Sequence, residues 1–306
     1  MDMIGLLTFH ASDNYGSVLQ SYAMRQLLES ITGADVEIID FSTKAQQALY
    51  KTFIGGYGFK KVIKNALIAS HFRKFSQRKD AFSRFRRMFL NITSERYERI
   101  SELEGIDCRY DVVVVGSDQV WNTSCIDYDD AYFLPFVHRS RKIAFAPSLG
   151  GVDILGAGQA EIDKLRAYLS SFAAISARES NGKAILETLT GQFVPIVLDP
   201  TLCVSPEIWQ SLAAPRKFPE EYIFFYGRVY HPDTYSALSS ISRRFGLPVL
   251  TLDLRTYLFQ RGFCHGIKAV DDMSPENFLS LIKHAKLVIT NSFHGSIFSA
   301  LFRKDF

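Results

Sequence analysis

A chain of 306 residues is long enough for two α/β lobes, each with a buried core of its own. With 47% hydrophobic and 22% charged residues and 25 phenylalanines, the composition excludes a disordered chain. A formal net charge of only +3 gives no reason to expect nucleic acid as a partner.

In chain order, Met1-Asp2-Met3-Ile4-Gly5-Leu6-Leu7 reads directly as the start of a strand over Ile4–Phe9. No basic region precedes a long apolar one there, so no secretion signal is expected, and no run approaches the ~18 apolar residues of a membrane span. Helical spacing of Val18, Tyr22, Leu27 and Leu28 predicts a helix over Ser17–Leu28, and Val36–Asp40 is the next strand. Together they form a βαβ unit, expected to be right-handed on a parallel sheet. Asp111–Gly116 holds four consecutive valines, the pattern of a strand buried on both faces. Lys142–Ala146 and Ala173–Ser176 read as further strands around a helix through Gln159–Leu169, and Val194–Leu198 closes the first lobe.

The pattern then restarts. Strands are expected at Tyr222–Tyr226, Pro248–Leu252 and Leu287–Thr290, with helices at Thr234–Phe245, Pro275–His284 and from near Phe293. Pro200, Pro206, Pro215 and Pro219 cluster at the transition, which divides the chain into lobes of 1–203 and 204–306. The architecture expected is two doubly wound, Rossmann-like α/β lobes, the second short of strands at its C-terminal end.

Between the second strand and Asp111 lies a different segment, helical over about 60–100 and assigned here to the first lobe. Phe72, Phe75, Phe82, Phe85 and Phe89 share one helical face, and Arg73, Lys74, Arg78, Lys79, Arg84, Arg86 and Arg87 fill most of the rest. Such a helix packs its phenylalanines on the lobe and solvates its charges; segment 73–87 also offers a basic surface to an anionic glycan or to a membrane carrying a lipid-linked acceptor. Cys108, Cys125, Cys203 and Cys264 are scattered without metal-ligand spacing, which suits a reducing cytosol and gives no metal site. Glycosylation patterns at Asn91 and Asn122 carry no weight without secretion.

Four loops place polar and small residues just after strands, where ligands bind in open α/β sheets. In the first, Asn14, Gly16 and Ser17 lead into a helix whose free amides suit an anion or sugar, or are simply capped by Asn14 or Ser17. In the second, Ser117, Asp118, Gln119 and Trp121 suit sugar recognition, hydroxyls on the polar groups and a ring face on the indole. The competing reading is a buried turn with Trp121 in the core. In the third, Arg178 follows a strand and is expected to aim its forked guanidinium at a carboxylate or phosphate, or else to form a structural pair with Glu179 or an aspartate. In the fourth, Ser292-Phe293-His294-Gly295-Ser296 opens a helix whose Gly295 and Ser296 amides are expected to face an anion, with His294 at the entrance.

Taken with Ala146-Pro147-Ser148-Leu149-Gly150 and Asp199-Pro200-Thr201, these loops resemble the polysaccharide pyruvyl transferase family, six motifs in order from Ile4 to the end. The resemblance implies a two-lobed GT-B-like fold, phosphoenolpyruvate as donor with no cofactor, and a pyruvate ketal bridging two hydroxyls of a glycan as product. It implies Arg178 as the donor's anchor and His294 as the candidate general acid; Asp118, on its own loop chemistry, is a further candidate as base or acceptor anchor. Pro147 and Ala177 depart from the family's usual small residue and valine without removing chemistry. A helix N-terminus disfavours an imidazolium and a bound phosphate favours one, so the acid is expected chiefly with donor present. Two rivals remain on the same fold: a nucleotide-sugar glycosyltransferase and a non-catalytic glycan-binding protein.

Overall fold

The computed structural model describes residues 3–227, 231 and 233–306, so Met1 and Asp2 of the first expected strand lie outside the described residues. It divides into two compact units. The first holds residues 1–50 and 86–204, the second 51–85 and 205–306.

In the first unit, β1 (Met3–Leu7) leads through α1 (Tyr15–Thr32) to β2 (Asp35–Phe41) and the short α2 (Lys44–Leu49). Asn14 caps α1 at one end and Gly33, left-handed at φ 68°, closes it at the other. In the second unit α3 (Phe59–Ser70) follows, and then α4 (Phe72–Phe89), within which the division falls, between Phe85 and Arg86. The first unit resumes with β3 (Ile92–Tyr97), β4 (Val112–Gly116), β5 (Arg141–Phe145), α5 (Gln159–Leu169), β6 (Ala174–Ile175), α6 (Ser180–Thr190) and α7 (Pro200–Cys203). Its sheet is parallel throughout, in the order β3-β2-β1-β4-β5-β6. The order reverses between β1 and β4, which makes their carboxyl ends the place where such a sheet opens for a ligand. Val113 and Val115 of β4 are fully buried in a core that includes Leu7, Phe9, Phe41, Trp121, Tyr132 and Phe133, each side chain contributing about 1.5–3 kcal/mol by leaving water.

The second unit continues with α8 (Pro206–Leu212), β7 (Ile223–Tyr226), α9 (Thr234–Phe245), β8 (Val249–Thr251), α10 (Leu254–Phe259), β9 (Lys268–Ala269), α11 (Pro275–His284), β10 (Leu287–Thr290) and α12 (Phe293–Leu301). Its sheet is also parallel, ordered β10-β7-β8-β9.

Three expectations change. Val194–Leu198 forms no strand; Ala177 and Ile196 make a single bridge, because Pro195 interrupts the amide ladder. The edge strand β3 was not expected. Its residues Ser94, Glu95 and Arg96 are exposed, so it carries no apolar run, and its pairing with β2 shifts register between Ile38 and Asp40. Finally, most of the phenylalanine-rich basic segment belongs with the second unit rather than the first. Lys74 pairs with Asp271 at 2.7 Å, Arg84 with Glu276 at 3.5 Å, the Lys64 ammonium sits over the Phe259 ring, and Arg255 donates to the carbonyls of Lys51 and Thr52. Phe75, Phe82 and Phe85 are buried, as one apolar face requires, whereas Phe72 is exposed.

Candidate active site

Four of the six motifs follow strands of the first sheet, a fifth opens α7, and one hydrogen-bonded network joins these five. From the first turn of α1, just after the loop that follows β1, Ser17 Oγ donates to Asp118 Oδ2 at 2.7 Å. Asp118 follows β4, and its carbonyl accepts the Ser148 amide from the loop after β5 at 2.8 Å. Ser148 Oγ then donates to Glu179 Oε1 at 2.6 Å. Arg178 donates from Nε to Glu179 Oε2 at 3.2 Å and from Nη1 to Asp199 Oδ2 at 3.3 Å. Ser117 Oγ closes the circuit, donating to the Ala146 carbonyl at 2.7 Å and to Asp199 Oδ2 at 3.4 Å.

The local sequence explains this placement. Gly116 has φ 118°, and a Cβ there would stand 2.2 Å from the Phe145 carbonyl oxygen, so only glycine lets β4 turn so close to β5. Asp118 and Ala146 take left-handed backbone at φ 61° and 49°, which turns the chain sharply at the ends of these two strands. Asp199 caps α7, with Pro200 at the first helical position; its Oδ1 accepts the Thr201 amide at 3.0 Å and the Thr201 hydroxyl at 2.6 Å. The Asp199 side chain is completely buried and that of Arg178 nearly so, while Glu179 retains 31% exposure. Arg178 therefore sits in the structural pairing weighed from the sequence, with both candidate carboxylates at once. Of its two carboxylate partners Glu179 is the more exposed and Asp199 the inner one.

Other site residues fall differently. Trp121 is fully buried, stacked on Phe133 with centroids 4.9 Å apart, and its indole N–H donates to the Tyr132 carbonyl at 2.8 Å. No face remains for a sugar, which corrects its substrate-binding assignment: the indole is core, and its polar handle is spent internally. Gln119 is half-buried, and its Oε1 accepts from Asn122 and Cys125 inside its own loop. Asn14 Oδ1 accepts the Gly16 amide at 3.1 Å, so this amide is capped rather than offered to an anion.

In the second unit Ser292 caps α12: its Oγ accepts the Gly295 amide at 3.3 Å and its carbonyl accepts the Ser296 amide at 2.9 Å. The two amides expected to face an anion are thus engaged by Ser292, a second correction. His294 lies in the first turn of α12, 6% exposed, edge-on to Phe293 with ring centroids 5.1 Å apart. A Cβ at Gly295 would stand 2.4 Å from Thr290 Oγ1, so this glycine serves close packing against the end of β10.

The sequence singled out Arg178 and named Glu179 as a candidate partner, but left Asp199 and Ser148 only as motif members. The signal for Asp199 was present in Asp199-Pro200-Thr201, a capping pattern with proline at the first helical position.

Two parallel Rossmann-like sheets, one carrying this network at its topological switch point, define an α/β protein of GT-B type. A putative UDP-N-acetylglucosamine 2-epimerase from Listeria monocytogenes shares the fold at TM-score 0.55 and 10% identity, over 95% of this chain and 74% of that one. S. aureus MnaA, solved with UDP, matches at TM-score 0.53 and 10% identity, over 99% and 78%. E. coli heptosyltransferase WaaC, solved with ADP-2-deoxy-2-fluoro heptose, is matched at TM-score 0.44 and 12% identity over 99% and 86%. No curated protein compared with the chain matches it. A sequence profile of the polysaccharide pyruvyl transferases matches residues 14–306, and the chain belongs to that family. It is accordingly a transferase, with a glycan as the acceptor the family implies. Among the described residues no helix is long and apolar enough to cross a membrane.

Proposed function

We propose that this transferase moves pyruvate from phosphoenolpyruvate to two hydroxyls of one sugar in a polysaccharide or lipid-linked glycan, forming a cyclic ketal and releasing phosphate. The observation that carries the reading is the network that joins four family motifs at the carboxyl ends of β1, β4, β5 and β6 to a fifth at the start of α7, with Arg178 at its charged centre.

Phosphoenolpyruvate carries about three negative charges near neutral pH, so its site needs a fixed cation with forked geometry. Arg178 is that cation: Asp199 holds it from behind, and Glu179 occupies the edge that the donor's carboxylate or phosphate takes. A proton added to the methylene carbon makes the methyl group and leaves an oxocarbenium-like centre at C2. One sugar oxygen bonds to C2; a second displaces the phosphate, breaking the C2–O bond and closing the ring. Of the two hydroxyl protons, one balances that delivered to carbon and the other leaves with phosphate. His294 is the proposed proton donor, and Asp118, polarised by Ser17, the proposed base or acceptor anchor. The cytoplasm, where phosphoenolpyruvate is available, is the proposed location.

The test is unfolding with and without phosphoenolpyruvate. At a hundred times the dissociation constant the donor adds about 2.7 kcal/mol. That stabilisation is expected to vanish in Arg178→Ala. With an acceptor glycan, His294→Gln is expected to keep the stabilisation and lose on the order of a hundredfold or more in phosphate release. Stabilisation by uridine or guanosine diphosphate, with none by phosphoenolpyruvate, would replace this reading with a nucleotide-sugar transferase.

A further inference from the structure

Of the large hydrophobic side chains exposed among the described residues, Phe293 alone stands within three residues after the carboxyl end of a strand. A singly exposed phenylalanine is ordinary, so its place decides its meaning. The second sheet runs β10-β7-β8-β9; its order reverses between β7 and β10, whose carboxyl ends are therefore its switch point. Asn291 and Phe293 follow β10 there, and Gly227 follows β7. Side chains alternate along this stretch. Asn291 and Phe293 are exposed, Ser292 is turned in as the cap of α12, and His294 is buried. Phe293 keeps 48% exposure, and its ring meets the His294 imidazole at 81°, so the imidazole covers at most one face of it. A Cβ at Gly227 would stand 3.2 Å from Asn291 Oδ1, so glycine at the end of β7 leaves that amide room.

The chemistry of this corner selects a neutral, hydroxylated ligand. The Gly295 and Ser296 amides are already engaged by Ser292, so the helix end offers little to an anion. What it exposes instead is an aromatic ring and a carboxamide, which both donates and accepts. A pyranose matches the two together. The C–H bonds along one face of a sugar ring are apolar and lie flat on an aromatic ring, while the hydroxyls at its edge need donors and acceptors.

We infer that Phe293 and Asn291 form the subsite for the acceptor sugar. The pyranose lies on the Phe293 ring, Asn291 bonds one of its hydroxyls, and the imidazole of His294 adjoins the platform. The acceptor is thereby a neutral hexopyranose with one unobstructed C–H face. Phe293 fills in the second unit the stacking role that the buried Trp121 cannot fill in the first. The inference deepens the function proposed above, and rests on it for the role of His294 as proton donor.

The test reads sugar binding apart from catalysis. Saturation-transfer NMR of the full chain is recorded with methyl β-galactoside, methyl β-glucoside and methyl α-mannoside, without phosphoenolpyruvate. At least one is expected to bind, with its ring C–H protons saturated most strongly. Phe293→Ala should weaken that binding on the order of tenfold, and Phe293→Tyr, which keeps the ring, should restore it. Asn291→Ala should weaken it about three- to tenfold, the loss of one neutral hydrogen bond. Phe193→Ala removes a more exposed ring, in the first unit, and should leave it unchanged. Because all three positions are exposed, circular dichroism should match the parent. With an acceptor glycan, Phe293→Ala should raise the acceptor's KM by the same factor and leave the stabilisation by phosphoenolpyruvate intact. Failure of all three glycosides to bind, undiminished binding in Phe293→Ala, or an equal loss in Phe193→Ala overturns the proposal. Sugar binding that depends on Phe293 without any stabilisation by phosphoenolpyruvate would support the subsite and remove the assigned donor, so the two readings fail separately.

Discussion

Replacing Asp199 by asparagine tests how the charged centre of the first unit is held. The carboxylate is completely buried and takes four bonds: the amide and hydroxyl of Thr201 on Oδ1, and Arg178 Nη1 and Ser117 Oγ on Oδ2. Asparagine keeps an acceptor for Thr201 but turns an amide group toward two donors, and the Arg178 guanidinium loses its inner counter-charge. Removing one partner of a buried pair costs about 3–5 kcal/mol. Arg178 still has Glu179, so the lower figure applies, about 3 kcal/mol. For a unit of this size about 2–4 °C accompanies each kcal/mol, so the transition should fall by about 6–12 °C. Glu179→Gln removes the more exposed partner, and solvent screening reduces its cost to about 1 kcal/mol or less.

The assay must separate the units, because a two-unit chain need not unfold in one step. The two tryptophans allow this. Trp121 lies in the first unit and Trp209 in the second, both fully buried. In a Trp209→Phe background, urea unfolding followed by fluorescence therefore reports the first unit alone. If Asp199→Asn unfolded within about 1 kcal/mol of its parent, or if Glu179→Gln cost as much, Asp199 would not be the anchor of Arg178 and the ordering of the two carboxylates would be wrong.

With Glu179→Gln the competing charge on Arg178 is gone, so phosphoenolpyruvate should shift the transition further than in the parent; an unchanged or smaller shift would mean that the donor does not take Glu179's place. Trp121→Phe should lose about 1 kcal/mol with the bond to the Tyr132 carbonyl and leave donor stabilisation intact, because the indole is core; a selective loss of glycan affinity, read by calorimetry, would restore a sugar platform. Burial works to raise the Asp107 carboxyl, but the amides of Arg139 and His138, each 2.7 Å from Oδ2, hold it below its ordinary range. A lowered folded value contributes stability above the unfolded value, near pH 4, that is lost as pH falls through the folded one. Asp107→Ala should therefore lower stability at neutral pH and flatten the acid limb between about pH 5 and the folded value; an acid limb as steep as the parent's would count against this pairing.

What the sequence disclosed and what it concealed follow from the range of the forces involved. Helices α5, α9 and α11 were placed at their observed bounds, because apolar spacing and end signals such as Gly158, Gly246 and Ser274-Pro275 act within one helix. The loops after β1, β4, β5 and β6 were also legible, since short polar runs after apolar ones mark the carboxyl ends of parallel strands. Trp121 was open to two readings because the surroundings of an indole depend on Phe133 and Tyr132, which local pattern does not place. Residues 51–85 were assigned to the wrong unit for a related reason. Asp271, Glu276 and Arg255, their partners, lie about two hundred residues along the chain. The Gly295 and Ser296 amides were misread because a helix N-terminus looks open from sequence whenever its own cap is overlooked.

Backbone geometry adds a last argument about how the first unit's site is built. Asp118 and Ala146 are two of five non-glycine residues with positive φ among those described, and they end adjacent strands. Each conformation costs roughly 1 kcal/mol or more. The two are braced reciprocally: Ser117 Oγ holds the carbonyl of Ala146, and the Ser148 amide holds the carbonyl of Asp118. The Ala146 amide in turn accepts no freedom, since it donates to Ser176 Oγ at 2.9 Å, and Ser176 Oγ donates to Ala144. These bonds need no ligand, so the strain is met by the loops themselves. The carboxylate of Asp118, bonded to Ser17, and the guanidinium of Arg178 are consequently held in place before any donor arrives. Such preorganisation lowers the ordering cost of binding at this site.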